Sequence, residues 1–321
     1  MAELTADDAR AGWLTARAIA GLTERIAALP ESRALLRGVV QAIGPRATIC
    51  SASIFGDWAH DAAEAFGDAE AASVTLAPLG ALVEGIRVID DIQDEEPHCV
   101  PMDLAYGAFA RALELTCELP LAEDAWRAAA AAIGRGIRET AIGQQLETTA
   151  TGEFAKFWEI VDRKTPPLVA TAFELGALSA GAAPDRAAAL APLAVPFGRL
   201  LQIGDDCNDA LGPAASDWRK PHLNLLMNYT LAGPRGAELR TLLRESLHDA
   251  KLLLLRDGAL AYALHAQLTT IAEATKIIHE LALPNPAPFL RWLDSRRAET
   301  AVLLRESGVD AVVAARVVNA A

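Results

Sequence analysis

The sequence predicts an all-α protein, and three observations lead to that class. Alanine and leucine dominate the 321 residues, and runs of β-branched residues are scarce. Aromatic residues make up 5% of the chain and hydrophobic residues 52%. Helix-starting and helix-ending residues recur from end to end, with no linker or change of composition between them. This combination is typical of a helix-rich protein with a large core, and it predicts one domain over residues 1–321.

Prolines and capping residues divide the chain into helices. Thr5 and Asp8 form a capping-box pattern that opens the first helix, which Pro30 ends. Pro101 opens a later helix, and Pro120 ends it. With approximate bounds, the predicted helices cover residues 5–30, a short stretch up to 44, 46–66, 70–94, 101–120, 123–151, 154–176, 185–211, 223–231, 237–255, 259–283 and 286–306, with a tail from 309.

Charge and cysteine usage exclude several classes of function. The net charge of −13 argues against nucleic acid as a partner, because no basic stripe is present to neutralise phosphates. The cysteines form no CxxC pair, so a zinc site or a disulfide framework is not expected and a reducing cytoplasm fits best. The N-terminus has no basic region before an apolar run, and no apolar stretch of about 18 residues occurs. We therefore expect neither a secretory signal nor a membrane span.

Two aspartate triplets share one layout, with carboxylates at positions i, i+1 and i+4. They are Asp90, Asp91 and Asp94, and Asp205, Asp206 and Asp209. On a helix, the three carboxylates of a triplet can lean toward one ion. A single triplet is also typical of a solvated acidic helix end. Two copies that follow apolar helical segments favour a metal site, because buried carboxylates need a partner and Mg²⁺ binds carboxylate and phosphate oxygens.

Polar residues between and beside the triplets are candidates for contact with a diphosphate. Lys164 precedes an apolar run, and its ammonium either reaches a diphosphate or extends to the surface. In the first case Thr165 faces the hydrocarbon part of the substrate. Gln202 lies three residues before the second triplet, on the face that carries Asp205 and Asp206.

Three further residues complete the candidate set from spacing alone. Gln144 is a weaker candidate for diphosphate contact, because its segment is equally typical of a binding site and of an exposed surface. Arg219 and Lys220 follow the second triplet, and their two cations could clamp a leaving diphosphate.

These residues together resemble the trans-isoprenyl diphosphate synthases, the polyprenyl synthetase family within the class I isoprenoid synthase superfamily. The resemblance covers roughly residues 44–231 and rests on five features in order: the first triplet, Gly143–Glu147 as a GQxx(D/E) segment, Lys164-Thr165, Gln202 with the second triplet, and Lys220. It implies a bundle of about a dozen helices around a deep central cavity. It also implies that the two triplets hold three Mg²⁺ ions, that Lys164 and Lys220 face the diphosphate, and that Thr165 and Gln202 face a carbocation. Members of the family are commonly homodimers, and the sequence leaves that option open.

The chain departs from the family pattern where isopentenyl diphosphate binds. In place of a GGKRxRP-like segment it has Gly44–Ile49, in which Arg46 is the one remaining cation. After the first triplet, residues 95–101 contain no arginine, and Val83 stands where a histidine is usual. The second diphosphate pocket is therefore expected to be dismantled, while the allylic-diphosphate site is intact.

Three functions remain open at this point. The first is a Mg²⁺-dependent prenyltransferase that ionises an allylic diphosphate and uses an atypical acceptor site. The second is a terpene synthase, a lyase that cyclises or quenches a single allylic diphosphate. The third is a non-catalytic subunit of a prenyl synthase, although such subunits often lose an aspartate motif and this chain keeps both.

The expected substrate length follows from two residues before the first triplet. In the family, bulky residues at these positions form the floor of the pocket. Here they are Ile86 and Gly85, with no aromatic side chain. By the resemblance, a substrate of fifteen or twenty carbons would fit, and a phenylalanine at position 85 would shorten the accepted chain.

Overall fold

A computed structural model describes residues 51–93, 101–150, 152–211, 218, 220 and 223–306. Within these residues the chain forms thirteen α-helices and two short 3₁₀-helices, and no strand occurs. The predicted all-α class is confirmed.

The helices are numbered in chain order. The first six are α1 (Ser51–Ala65), α2 (Leu76–Gln93), α3 (Asp103–Cys117), α4 (Glu123–Thr148), α5 (Phe157–Lys164) and α6 (Pro166–Ser179). The others are α7 (Pro184–Ala188), α8 (Ala191–Leu211), α9 (Leu225–Ala232), α10 (Gly236–Glu245), α11 (Leu247–Arg256), α12 (Ala259–Glu280) and α13 (Ala287–Glu306). The 3₁₀-helices are Ala69–Val74 and Phe154–Lys156.

Several helices that the sequence predicts as continuous are broken. The stretch 154–176 divides at Thr165, the C-cap of α5, and Pro166 begins α6. Pro166 and Pro167 have no N–H to donate to the preceding turn, so the helical hydrogen bonds stop here although the backbone of Thr165 is helical, with φ −93° and ψ −46°. The stretch 237–255 divides at Ser246, whose backbone is extended with φ −157° and ψ 102°. These breaks matter because the first one fixes the position of Lys164.

The helices belong to two compact units. The first lies within Met1–Ala141, Pro167–Ala194 and Leu281–Phe289. The second lies within Ile142–Pro166, Val195–Glu280 and Leu290–Ala321. The single domain and the central cavity that we expect from the sequence stay predictions.

The core of the first unit is built on aromatic rings. Trp58 is fully buried, and its ring meets Phe173 edge-on at 6.3 Å between centroids. Phe173 in turn meets Phe289 at 5.0 Å, and Phe55 meets Trp58 at 5.4 Å. Edge-to-face pairs of this kind stabilise a core beyond the area they bury. Trp58 therefore serves the core of this unit.

The second unit has its own aliphatic core. Ile203, Leu225, Met227 and Leu264 are among its buried members. Residues 184–211 extend into this unit, and by length and composition alone this segment could cross a membrane. Its most apolar stretch is 50% buried inside the protein. The core helix of a soluble protein passes the same test, so this is weak evidence for a span.

An aromatic ring lies next to Gly85, and it belongs to Phe109 of the neighbouring helix α3. The local sequence around Gly85 gives no indication of it. A Cβ atom at Gly85 of α2 would lie 2.5 Å from Cε1 of Phe109 in α3. No side chain can enter this position unless the Phe109 ring moves. A phenylalanine at position 85 is therefore a poor test of substrate length, because it would disturb the packing of α2 on α3.

We expect Gly85→Ala to lower the free energy of unfolding by about 1–3 kcal/mol, since overpacking a tight contact costs that much. Urea-induced unfolding would measure it. Gly80→Ala is the matched control on the same helix, because nothing lies within 4 Å of a Cβ atom there. That control is expected to be neutral or stabilising by about 0.5–1 kcal/mol. Equal unfolding midpoints for the two variants would contradict the Phe109 contact.

Candidate functional site

The first aspartate triplet lies at the C-terminal end of α2, in the first unit. Asp90 and Asp91 are both half-buried there. Asp94 lies outside the described residues. Two adjacent carboxylates therefore follow the buried part of α2, as the sequence predicts.

The three aspartates of the second triplet, in α8, differ in how much of each side chain is exposed to solvent. Asp205 is exposed and Asp209 is half-buried, and their i, i+4 spacing places them on one face of the helix. Asp206 is only 1% exposed. Like charges one turn apart on a helix repel each other, and a cation removes that cost. The face that carries Asp205 and Asp209 is therefore the candidate metal face of α8.

Asp206 is turned inward and holds the start of α9. Its Oδ1 accepts a hydrogen bond from Nε2 of Gln202 at 2.7 Å, and its Oδ2 accepts one from the N–H of Leu225 at 2.8 Å. The Asn224 side chain donates to the Asp206 carbonyl at 2.9 Å and accepts from the N–H groups of Leu226 and Met227. Asp206 thus joins two helices of the second unit. As a metal ligand it stays a prediction.

The carboxylates suit magnesium better than a metal that needs a closed protein cage. Among the described residues, no three His, Cys, Asp or Glu side chains form a group that could hold a metal ion. Mg²⁺ is usually held by one or two carboxylates together with substrate phosphates and water. The pair Asp205 and Asp209 fits that pattern. The neighbouring Cys207 does not contribute a thiolate, because burial and the charge of Asp206 raise the pKa of its thiol to about 12.

Lys164 ends α5 and forms an ion pair with Glu147 of α4. Its Nζ atom lies 3.0 Å from Oε1 and 2.8 Å from Oε2 of that carboxylate. The lysine side chain is 20% exposed and the glutamate 15%. A charged pair that is largely shielded from water is held much more firmly than a surface pair.

Two glycines and a second ion pair fix the backbone around Lys164. A Cβ atom at Gly143 of α4 would lie 2.4 Å from the carbonyl oxygen of Arg163, and one at Gly198 of α8 would lie 2.7 Å from Cγ of Pro166. Only glycine allows both helices to approach this turn so closely. Arg199 of α8 also donates two hydrogen bonds of 2.7 Å to Asp162, and this contact raises the pKa of the arginine.

Glu147, Lys164 and Gln202 line a pocket of about 150 Å³ in the second unit. Its wall also contains the apolar side chains of Phe157 and Ile160. The lining also contains Lys156, Glu153 and Glu159, so the pocket combines an apolar wall with two ammonium groups and three carboxylates. An anionic head group would need a bound cation beside Lys164 to offset these carboxylates.

The other predicted site residues are distributed differently. Thr165 is the C-cap of α5, and its N–H donates to the carbonyl of Val161 at 3.3 Å; it does not line this pocket. Gln144 is 3% exposed and is also not part of the lining. Lys220 is half-buried before α9, and its carbonyl accepts a hydrogen bond from the N–H of Leu223. Arg46 and Arg219 lie outside the described residues.

Sequence reasoning missed the partners that position the predicted residues. Glu147 is part of the GQxx(D/E) segment, but its spacing gives no indication that it binds Lys164. Asp162 and Arg199 lie 37 positions apart, so no local pattern connects them. Asn224 had a usable signal, because an asparagine before an apolar helical run is a preferred N-cap.

Comparison with known proteins gives a family model that matches part of the chain and solved structures that share its fold. Residues 104–243 match the family model described as polyprenyl synthetase. That region contains Glu147, Lys164 and the second triplet, and the first triplet precedes it. The comparison with curated protein sequences gave no match.

Solved structures with high similarity cover most of the chain. A geranylgeranyl pyrophosphate synthase has a TM-score of 0.71 and 17% identity, with 94% of this chain and 99% of that chain covered. The geranylgeranyl pyrophosphate synthetase of Geoglobus acetivorans has a TM-score of 0.71 and 20% identity, with coverage of 88% and 97%. A polyprenyl synthase of Caulobacter crescentus, complexed with calcium and isoprenyl diphosphate, has a TM-score of 0.65 and 23% identity, with coverage of 87% and 96%. These likenesses confirm the predicted isoprenoid synthase fold.

Proposed function

We propose that this chain, whose residues 104–243 match the polyprenyl synthetase family model, is a member of that family and a Mg²⁺-dependent prenyltransferase that acts on an allylic prenyl diphosphate. The observation that carries the proposal is the pocket in the second unit. There a fixed Lys164 and Gln202 share a lining with apolar side chains. The calcium and isoprenyl diphosphate bound to the Caulobacter crescentus protein support it, since that protein has the same fold.

Each candidate group has a proposed part in breaking the allylic C–O bond. Asp90 and Asp91 of the first unit would bind Mg²⁺, and so would Asp205 and Asp209 of the second unit. When bound, Mg²⁺ supplies Lewis-acid stabilisation of the leaving diphosphate. The Lys164 ammonium donates hydrogen bonds to the diphosphate oxygens, which take the electron pair of the C–O bond.

The second step joins the allylic carbon to an acceptor. The apolar part of the pocket wall excludes water from the allylic cation, so that the acceptor and not water donates the electron pair of the new bond. The acceptor then loses a proton to the released diphosphate, which balances the step. The acceptor site is atypical, because Gly44–Ile49 and residues 95–101 lack the cations that would bind a second diphosphate. A substrate of fifteen or twenty carbons remains part of the proposal.

The same missing cations favour a terpene synthase as the second candidate. A lyase needs only the allylic-diphosphate site, which this chain keeps. The two functions differ in whether a second substrate is consumed, so a product assay separates them.

We expect the purified protein with Mg²⁺ to release diphosphate from farnesyl or geranylgeranyl diphosphate only when a suitable acceptor is present. Each substrate, and geranyl diphosphate, would be incubated with and without isopentenyl diphosphate, and products identified by mass spectrometry. A longer diphosphate that forms only with isopentenyl diphosphate would show elongation and contradict the atypical acceptor site. Hydrocarbon or alcohol from the allylic substrate alone would establish the lyase. No product in any mixture would point to a different acceptor or to a non-catalytic subunit.

A further inference from the structure

Glu147 is a pocket residue to which the proposed reaction gives no part. Its carboxylate meets the Lys164 ammonium at 3.0 and 2.8 Å, and the glutamate side chain is only 15% exposed. A shielded carboxylate opposite a shielded ammonium determines where that ammonium lies, because separating the two charges is costly. The same carboxylate also offsets the positive charge that a diphosphate would meet.

The backbone of Lys164 is fixed independently of this ion pair. Gly143 leaves no room for a Cβ atom against the Arg163 carbonyl, and Asp162 accepts two hydrogen bonds of 2.7 Å from Arg199. The position of α5 therefore does not depend on Glu147 alone. The Glu147 carboxylate acts on the direction of the lysine side chain and on the net charge that a diphosphate would meet.

We infer that Glu147 is a positioning residue, which holds the Lys164 ammonium in place and weakens diphosphate binding in exchange for a correctly placed cation. The inference rests on the proposed function, because a diphosphate is the anion for which Lys164 is proposed. Glu147 is thus expected to lower the affinity for diphosphate and to raise kcat. A residue that only stabilised the fold would change neither quantity in the folded protein.

The test is Glu147→Gln, which keeps the shape and removes the charge. Without the competing carboxylate, the Kd for inorganic diphosphate with Mg²⁺ is expected to fall by about 3–10-fold. Because the ammonium is held less firmly, kcat with the best allylic diphosphate is expected to fall by about tenfold, and KM not to rise. Titration calorimetry and steady-state kinetics measure the two, and Glu147→Asp is expected to restore part of kcat.

Two control experiments separate the positioning of Lys164 from the effect of removing any glutamate charge in this unit. Glu238 of α10 accepts two hydrogen bonds of 2.8 Å from Arg235 at an exposed place in the same unit. Glu238→Gln is expected to leave Kd and kcat unchanged. In a Lys164→Met background, Glu147→Gln is expected to have little further effect on kcat, because residues that act through one another are not additive.

The outcomes distinguish the inference from the proposed function. If the wild-type protein neither binds diphosphate nor turns over an allylic diphosphate, both are wrong. If it binds diphosphate and Glu147→Gln leaves the Kd unchanged or weakens binding, the inference alone is wrong, with or without turnover. An equal loss of kcat from Glu147→Gln in the presence and absence of Lys164 would also overturn it.

Discussion

Asp206→Ala is expected to lower the free energy of unfolding by about 3–5 kcal/mol, the largest stability effect we predict for the second triplet. The change removes the acceptor of the Gln202 side chain and of the Leu225 N–H, in a place that is 1% exposed to water. Each buried donor left without an acceptor costs about 1–3 kcal/mol, and the lost carboxylate also leaves a cavity. Urea- or heat-induced unfolding followed by circular dichroism would measure the loss.

The matched control for Asp206→Ala is Asp209→Ala, three residues further along α8 and half-buried. Its effect on stability is expected to stay within about 0.5–1 kcal/mol, or to be slightly stabilising because one of two like charges is removed. Asp206→Asn should fall between the two alanine variants, since the amide oxygen can still accept one of the hydrogen bonds. Equal stability of Asp206→Ala and Asp209→Ala would show that the Asp206 contacts do not hold α9.

The sequence correctly predicts the class of structure, while the metal-binding role of the second triplet stays a prediction. Spacing alone places Asp205 and Asp209 on one face of a helix, and α8 presents them so. The start of α4 at Glu123 also follows from the sequence, because Pro120 ends the preceding element. Both are local inferences, made within one or two helical turns.

What the sequence does not predict depends on contacts between distant segments. The i+1 position of Asp206 allows it to lean toward an ion, but it is turned inward because α9 begins nearby with a Leu225 N–H that needs an acceptor. The Lys164–Glu147 pair and the contact of Gly85 with Phe109 likewise join separate helices. Helical periodicity carries no information about which faces meet, so neither contact could be predicted from the sequence.

Asp205→Ala is expected to abolish turnover while the helical circular dichroism stays unchanged. Asp205 is exposed on α8, so the fold loses little with its side chain. A ligand that neutralises charge on the leaving diphosphate contributes several kcal/mol to catalysis, and we expect kcat to fall by about 10³-fold or more. Asp90→Ala in α2 is expected to behave in the same way. The measurement is the rate of diphosphate release as a function of Mg²⁺ concentration.

The Mg²⁺ dependence is the decisive part of that experiment. If Asp205 binds the metal, the residual activity of Asp205→Ala should require a higher Mg²⁺ concentration. Activity that survives both Asp90→Ala and Asp205→Ala with unaltered Mg²⁺ dependence would refute the assignment of the two triplets as metal-binding groups. The two neighbouring variants are also expected to differ. Asp205→Ala should lose activity at unchanged stability, whereas Asp206→Ala should lose stability. These results would show that two adjacent carboxylates of one motif have different roles, since Asp205 would bind the metal and Asp206 would stabilise the fold.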